Sequence, residues 1–270
     1  MIATQDPQTV GDLIKAWRAR RRLSQLDLAL EAGVSQRHLS FVESGRSAPS
    51  RDMVETLAET LDIPLRERNA LLLSAGFAPA YTERKLTDPS MKAAHSAVHR
   101  VLKAHEPNPA LAVDRHWRLV MANDAIAPLM GLVADRSLIE GQFNVLRASL
   151  HPAGLAPHIV DLRGWRDHLL HRLRQQIDAS GDAELIALEK ELAAYPVPPA
   201  PARSNRDAAD NIAIPFRVRV GESVFSFIST ITIFGTPVDV TLSELAVEAF
   251  FPADAETTAA MQMLAAARAN

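Results

Sequence analysis

Apolar side chains recur every three or four positions through the first quarter of the chain, which predicts a series of short amphipathic helices. In the first helix, over about residues 10–22, Leu13, Ile14 and Trp17 form the inward stripe. Two later helices, one capped by Ser50 and one over about 64–75, complete a predicted bundle of five helices. The outer face of the first helix carries a basic run, which comprises Arg18, Arg20, Arg21 and Arg22.

Two short helices joined by a glycine turn lie inside this predicted bundle. Ser24 is a favourable N-cap residue, and Leu26, Ala29 and Leu30 are predicted to face inward behind it. Gly33 stands where the helix must end and turn, a position that often requires a positive φ. Because Ala29 is small, the two helices are expected to cross closely at a steep angle.

The second of these helices has a polar face that does not take part in packing the predicted core. Ser35 caps it, and Leu39 and Val42 form its inward stripe. The outward positions are polar and comprise Gln36, Arg37, His38 and Ser40. This pattern predicts a DNA-binding helix-turn-helix whose second helix enters the major groove. An ordinary helical hairpin with a solvated polar face is the alternative interpretation.

The segment over about 9–76 resembles the phage-repressor (Cro/C1, or XRE) type of DNA-binding domain. The motifs that carry the resemblance are SQLDLA, AGVSQRHLS and ESGRSAPS. The resemblance implies that Gln36, Arg37 and Ser40 read base edges, and that Gln25 touches a phosphate and braces the recognition helix. Glutamine and arginine suit this role because they grip adenine and guanine, respectively, through paired hydrogen bonds. The implied supporting or phosphate-contacting residues are Ser35, His38 and Arg46.

The second part of the chain alternates between helical and strand-like periods. PALAVDRHWRLVMAND predicts two short strands around a turn, with Trp117 in the second strand. NIAIPFRVRV, SVFSFISTITIF and VDVTL predict three more antiparallel strands. Two helices, over 244–250 and 254–269, are predicted to close the chain. Helices also fill the middle, over about 90–104, 143–150, 161–178 and 183–194.

The predicted fold class is therefore α+β overall. An N-terminal all-α five-helix DNA-binding bundle precedes a C-terminal α+β PAS-like domain with an antiparallel five-stranded sheet. Prolines and mixed charges interrupt the periodicity after the bundle, which places the domain boundary there. We expect a DNA-binding domain over 1–78, a linker over 79–89 and a ligand-binding domain over 90–270.

The region over about 90–265 is similar to the ligand-binding region of MmyB-like transcription regulators. Its motifs are VDRHWRLVMANDA, NVLRASLHPAGLAPHIV and FISTITIFGTPVDVTLSELAVEAFFPAD. The resemblance implies a transcription regulator that senses a small molecule, with fatty-acid-like apolar ligands as the leading class.

A PAS-like sheet covered by helices encloses an interior cavity that is mostly apolar with a few polar anchors. The candidate wall residues are Trp117, Phe143, Leu146, Trp165, Phe225 and Phe227. The candidate anchors are Asn123, Arg147 and His151, of which the arginine would suit a carboxylate head group. Plain core packing is the alternative for each apolar residue, and a solvated helix face or a turn is the alternative for Arg147 and His151.

Composition and charge narrow the function classes. A net charge of −3 argues against a nonspecific, histone-like coating of DNA, and basic and acidic residues balance within 1–78. The chain has no cysteine, which excludes a disulfide framework, a zinc ribbon and a thiol nucleophile. Hydrolase-elbow, P-loop and dinucleotide motifs are absent. The sequence thus predicts neither an enzyme nor a metal site or cofactor.

The expected protein is a bacterial, cytoplasmic homodimer on an inverted-repeat operator in double-stranded DNA. The start of the chain lacks the pattern of a signal peptide, and no apolar run approaches the length of a membrane span, so we expect a soluble protein. Two alternatives stay open: a haem- or other cofactor-binding PAS sensor, and a protein-interaction module without a ligand.

Overall fold

The computed structural model describes residues 9–198, 214–235, 237 and 239–269. The chain divides into two compact units. Unit 1 contains the described residues of 1–84, 178–180 and 236–243, and unit 2 contains those of 85–177, 181–235 and 244–270. Residues 211–213 of the predicted strand NIAIPFRVRV, Val238 of the segment VDVTL and residues 199–210 lie outside the described residues.

The N-terminal part of unit 1 is a bundle of five helices over its described residues, as predicted. Thr9, Ser24, Ser35 and Ser50 each accept a hydrogen bond from the backbone N–H three residues on, which fixes where four of the helices begin. Gly33 adopts a φ of 64°. The helices are α1 (Val10–Arg20), α2 (Gln25–Glu31), α3 (Gln36–Glu43), α4 (Arg51–Thr60) and α5 (Leu65–Ser74).

The residues that α2 buries are not all those that the sequence predicted. Leu26 and Leu30 are 48% and 72% exposed, whereas Leu28 and Ala29 are buried. A helix of seven residues turns about 100° per residue, so only one narrow face can meet the core. Leu28 beside Ala29 fills that face, and the predicted inward role of Leu26 and Leu30 is wrong.

Unit 2 contains a five-stranded antiparallel sheet in the order β2-β1-β5-β4-β3. The strands are β1 (Ala110–Val113), β2 (Leu119–Ala122), β3 (Phe216–Val220), β4 (Ser223–Ile233) and β5 (Ala246–Pro252). Several helices pack on one face of this sheet and enclose the larger core of the unit, and the helix Lys92–Ala104 packs on the other face around a smaller core. Over both units, the helices after α5 are α6 (Lys92–Ala104), α7 (Ala127–Met130), α8 (Val145–Leu150), α9 (Leu162–Ser180), α10 (Ala183–Ala194), α11 (Val240–Ser243) and α12 (Ala255–Ala269).

The last strand is not where the sequence pattern placed it. The end of the predicted strand VDVTL lies instead in the short helix α11, and Asp239 just before it accepts a hydrogen bond through Oδ1 from the Thr241 amide at 3.0 Å. The predicted helix over 244–250 is wrong as well, because these residues lead into β5. β5 pairs with β1 on one side and β4 on the other, so hydrogen bonds along both edges override the helical preference of its alanines and glutamate.

Gly11 of α1 lies against the backbone at the end of α3. A Cβ atom built on Gly11 would lie 2.4 Å from the Val42 carbonyl oxygen and 2.9 Å from that of Glu43. Both obstacles are backbone atoms, so a side chain could be accommodated only if the two helices moved apart.

We predict that Gly11→Ala lowers the free energy of unfolding by about 1–3 kcal/mol because the added methyl group forces the helices apart. The measurement is urea denaturation followed by circular dichroism. Gly235→Ala is the matched control, since its Cβ would meet no atom within 4 Å, and it should change stability by less than about 0.5 kcal/mol. Equal stability of the two variants would contradict the close approach.

Candidate DNA-recognition surface and ligand cavity

A buried ion pair fixes the C-terminal end of α3. The Glu43 side chain is only 3% exposed. Arg18 donates to it through two nitrogens, Nε to Oε1 at 2.7 Å and Nη2 to Oε2 at 2.9 Å. Gln25 Nε2 donates to Oε2 at 2.7 Å. The three side chains come from α1, α2 and α3, and together they hold the helices of the helix-turn-helix in one arrangement.

The electrostatics of this cluster favour an ionised carboxylate. Burial opposes ionisation of Glu43, but hydrogen bonds from Arg18 and Gln25 outweigh it, and the pKa of the carboxyl is lowered. The brace predicted for Gln25 is therefore present, while its phosphate contact stays a prediction. The outward placement predicted for Arg18 is wrong, because the fork of its guanidinium matches the buried carboxylate.

The other arginines of the predicted basic run have separate roles. Arg20 and Arg21 lie over the Trp17 ring, with guanidinium carbons 4.6 Å and 5.4 Å from its centroid. Arg21 also donates to the carbonyls of Leu61 and Asp62, each at 2.8 Å, which caps the end of α4. Arg22 is exposed.

The opposite side of α3 is open to solvent. Gln36, Arg37 and His38 are exposed, and Ser40 is half-buried. The Arg37 guanidinium carbon lies 5.4 Å from the centroid of the Phe41 ring one turn on, which keeps the side chain along the helix surface. The remaining two predicted contact residues flank this face. Ser35 caps α3 by accepting the His38 amide at 3.1 Å, and Arg46 is exposed in the loop after the helix.

Unit 2 contains an apolar cavity of about 60 Å³ between the sheet and its covering helices. Of the sixteen described residues that line it, two carry a polar side chain, namely Ser149 and Glu248. The sheet contributes Leu111, Leu119, Phe216 and Phe250 to the wall. The helices and the segments beside them contribute the rest of the apolar wall, which comprises Ile126, Leu129, Met130, Phe143, Val145, Leu146, Ala148, Leu155, Trp165 and Leu169.

Three of the predicted wall residues line the cavity: Phe143, Leu146 and Trp165. Phe225 and Phe227 are buried on β4 in the same core but do not line it. Phe227 packs behind the wall, with its ring centroid 6.5 Å from that of Phe216.

Trp117 lies in a turn before β2 and not in the strand itself. Its φ is 63°, and the Asp114 side chain holds the turn by accepting the amides of His116 and Arg118. Trp117 Nε1 donates to Gln176 Oε1 at 2.7 Å. The indole is thus buried, but it packs beside the cavity wall rather than forming it.

None of the three predicted polar anchors lines the cavity. Asn123 is buried and bridges backbone groups, accepting from the Ala110 amide and donating to two carbonyls. Arg147 makes two hydrogen bonds of 2.7 Å to Glu191, which lowers the pKa of that carboxyl to about 2. His151 Nδ1 accepts the Ala153 amide at 3.1 Å, which closes a turn.

Neither of the two polar residues among the described cavity lining, Ser149 and Glu248, is among the predicted site residues. Ser149 Oγ accepts a hydrogen bond from Trp165 Nε1 at 3.1 Å. Glu248 is 5% exposed and receives Arg172 Nη1 at 3.2 Å. Burial raises the pKa of the Glu248 carboxyl, and Arg172 opposes this rise. The inward direction of the Glu248 side chain follows from the alternation of side chains along a strand. The prediction of a helix over 244–250 therefore did not place Glu248 in the cavity wall.

Two protein-family models match the chain, one in its N-terminal part and one in its C-terminal part. Residues 94–264 match the model described as "MmyB-like transcription regulator ligand binding domain", and residues 14–68 match a helix-turn-helix family of the XRE type. The chain belongs to the MmyB-like transcription regulators. No curated protein matches it. The two matches confirm the resemblances drawn from the sequence motifs.

The matched families are those of transcription regulators, so the chain is a DNA-binding transcription regulator with a ligand-binding domain. In the described part of this regulator, no helix is both long and apolar enough to cross a membrane. Its described residues contain no group of three or more histidine or acidic side chains placed to hold a metal ion.

We predict that Glu43→Ala lowers the free energy of unfolding of the regulator by about 3–5 kcal/mol, because it strands the Arg18 charge in a largely buried position. Since folding lowers the pKa of Glu43, the stabilisation is complete above the unfolded-state pKa and is lost as the pH falls through the folded-state pKa. Urea denaturation at neutral and acid pH tests both statements.

The control for this prediction is Glu55→Ala, which breaks an exposed pair with Arg51 in which the two side chains are 39% and 43% exposed. That change should cost at most about 1 kcal/mol. Similar losses in the two variants would show that the buried pair does not hold α3.

Proposed function

We propose that this regulator recognises a specific operator through the open face of α3 and responds to a small apolar effector held in unit 2. The observation that carries the first part is the contrast between the two sides of α3. Its inner side is locked by Glu43, whereas its outer side presents side chains that suit base edges.

Residue roles follow from position on this face. Gln36, Arg37 and Ser40 are proposed as the base readers, because they lie on the outward side of the helix that would enter the major groove. The flanking groups would position the helix on phosphates, which supplies affinity without naming a sequence. These groups are Gln25, Ser35, His38 and Arg46.

The proposed active form is a homodimer on an inverted repeat in the bacterial cytoplasm. Two recognition helices related by a two-fold axis lie one DNA turn apart, about 34–36 Å, so each copy reads one half-site. Binding should weaken with salt, since each neutralised phosphate releases counterions.

The effector site is proposed to be the cavity bounded by Trp165, Leu169 and Phe250. Its apolar wall supports the hydrocarbon part of a fatty-acid-like molecule. At about 60 Å³ it is smaller than the roughly 300–1,000 Å³ of most ligand pockets, so a longer molecule must displace part of the wall. Ile126 and Met130, both half-buried beside or in the short helix α7, form the part that can yield most readily.

No histidine lines the cavity among the described residues, so no specific observation favours a haem sensor. The apolar effector is the function that the lining supports best.

We predict that Arg37→Ala weakens operator binding by about 1–3 kcal/mol and relaxes the choice of base at one position, since a paired hydrogen bond to a base edge is lost. The operator is first selected from random duplexes with the full-length protein, and affinity is then measured by fluorescence anisotropy. Arg136→Ala, a change of an exposed arginine in unit 2, is the control. Unchanged affinity and specificity in Arg37→Ala would remove this residue from the readers.

We also predict that native mass spectrometry of protein purified from cells detects a dimer and a bound apolar molecule. Leu146→Phe should reduce the bound fraction because the added ring fills the cavity. Ile186→Phe is the matched control, since Ile186 is 46% exposed on α10. Equal occupancy in both variants would place the effector elsewhere, and a monomer on operator DNA would overturn the dimer proposal.

A further inference from the structure

Residues 236–243 lie in unit 1, although the chain enters and leaves them from unit 2. They follow β4 and precede β5, which are neighbouring strands of the unit 2 sheet. The match to the ligand-binding family covers 94–264 and includes them. We call 236–243 the shared segment, of which the structure describes Pro237 and residues 239–243. By sequence this segment belongs to the ligand-binding domain, whereas its contacts make it part of the DNA-binding unit.

A buried carboxylate attaches the shared segment to the residues that follow α5. Asp239 is 1% exposed. Its Oδ2 accepts hydrogen bonds from Thr82 Oγ1 at 3.1 Å and from Arg84 Nε at 3.0 Å. Its Oδ1 accepts the Thr241 amide near the start of α11. Because the carboxylate is shielded from water, loss of these donors would leave a buried acceptor without partners, so the attachment resists separation.

Backbone hydrogen bonds extend this attachment to α5. The Val240 amide donates to the Thr82 carbonyl oxygen at 2.9 Å, and the Val240 side chain is fully buried. The neighbouring Tyr81 is held by Asn69 of α5, which accepts the Tyr81 amide at 3.0 Å and donates to the Tyr81 carbonyl at 2.7 Å. The helix α11 itself lies against α5. A continuous set of contacts therefore links the shared segment to the last helix of the bundle.

The C-terminal end of the shared segment leads to the cavity wall within a few residues. Ser243 ends α11, and β5 begins at Ala246. Leu245 between them is buried in the smaller core of the sheet, so this connection is packed and is not an open loop. Glu248 and Phe250 of β5 line the cavity. A change in the stability of β5 would therefore reach α11 without an intervening loop to absorb it.

Beyond residue 84, the end of α9 is the other stretch that lies in unit 1. Residues 178–180 belong to this unit, and Arg20 and Arg21 donate to the Ser180 and Ala179 carbonyl oxygens at 3.3 Å and 3.5 Å, respectively. These distances are long for a hydrogen bond, and both contacts are exposed to solvent. The shared segment, with its buried carboxylate, is the more firmly attached of the two stretches.

We propose that the shared segment transmits the state of the cavity to the DNA-binding bundle, and that Asp239 is the contact on which the transmission depends. An effector that alters the stability of the cavity wall alters that of β5, and the attachment through Asp239 carries this change to α5. The inference rests on the proposed effector function of the cavity and names how that site would regulate DNA binding. Coupling between two sites is reciprocal, so operator DNA bound to unit 1 must also stabilise β5.

This reciprocity allows a test that needs no effector. Hydrogen–deuterium exchange of the full-length protein is compared with and without the operator duplex selected from random sequences. The duplex binds unit 1 and stabilises it by mass action, but it slows exchange in unit 2 only if the two units are coupled. We expect the amides of β5 to exchange about fivefold or more slowly on the operator, which is the lower end of typical coupling between sites.

The variant Asp239→Ala removes the acceptor that Thr82 and Arg84 share. With saturating duplex, the slowing in β5 should fall below about twofold, because the side-chain attachment of the shared segment is lost. Asp135→Ala is the matched control. Asp135 of unit 2 likewise accepts the amide two residues on, from Ser137 at 3.0 Å, and its loss should leave the slowing intact.

A milder variant covers the case in which Asp239→Ala does not fold. Arg84→Ala removes one donor to Asp239 and leaves the hydrogen bonds from Thr82 and Thr241 in place. The Arg84 side chain is 38% exposed, so this variant is expected to fold. It should reduce the slowing in β5 to a value between that of the wild type and that of uncoupled units.

Each result supports or overturns the transmission. Unchanged exchange of β5 in wild-type protein that binds its operator would overturn it and leave DNA recognition through α3 intact. Slowing that persists in full in Asp239→Ala, or in Arg84→Ala where only that variant folds, would show that the units are coupled elsewhere, as through 178–180. An equal loss of slowing in Asp135→Ala would show that the effect is not specific to Asp239. Failure to select any duplex would overturn the proposed operator recognition and the transmission together.

Discussion

A carboxylate can be removed from water only where other groups replace its hydration, because the cost of burying an unpaired charge amounts to several kcal/mol. Unit 1 meets this requirement at Glu43, which three hydrogen bonds from Arg18 and Gln25 surround. The helices α2 and α3 contain seven and eight residues, too few to be stable by local propensity. Their arrangement depends on tertiary contacts, and Glu43 joins three helices at one point. An open face of α3 with a fixed direction follows from this constraint.

Glu248 in unit 2 meets the same requirement less completely. It has one arginine contact at 3.2 Å and a hydrogen bond with the Ser229 side chain, and its pKa is raised by burial, whereas the pKa of Glu43 is lowered. Glu43 and Glu248 therefore differ in how completely other side chains hydrogen-bond to the buried acid. Where the grip is complete, the carboxylate holds backbone elements together. Where it is less complete, as at Glu248, the acid lies at the wall of the apolar cavity.

Much of the fold could be predicted from the sequence because its signals are local. The serine caps and the turn at Gly33 each act within four residues, and these features bounded the helices of the DNA-binding bundle. The position of β5 could not be predicted in this way. Its residues favour a helix locally, and the hydrogen bonds that make it a central strand come from β1 and β4, which are far away in the sequence.

The difference between local signals and long-range contacts also explains which site residues could be predicted. The outward face of α3 follows from helical period alone, so Gln36 and Arg37, the proposed base readers, are exposed as expected. The predicted anchor Arg147 does not reach the cavity because its partner Glu191, 44 residues later, pairs with it elsewhere. That pairing cannot be predicted from the periodicity of the sequence. Aromatic residues could be assigned to a core, but which of them reach a cavity depends on how the sheet and helices pack.

The small size of the cavity bears on how an effector could act at all. A ligand changes DNA affinity only if it binds the competent and incompetent conformations with different free energies. A molecule that fitted the cavity of about 60 Å³ without displacing its wall would have little means of distinguishing two conformations. A larger molecule must move part of the wall, such as Ile126 or Met130, which belong to short helical segments, or the half-buried Phe143, which precedes α8. For the proposed effector, opening the wall is thus the step at which binding energy can be converted into a shift between conformations.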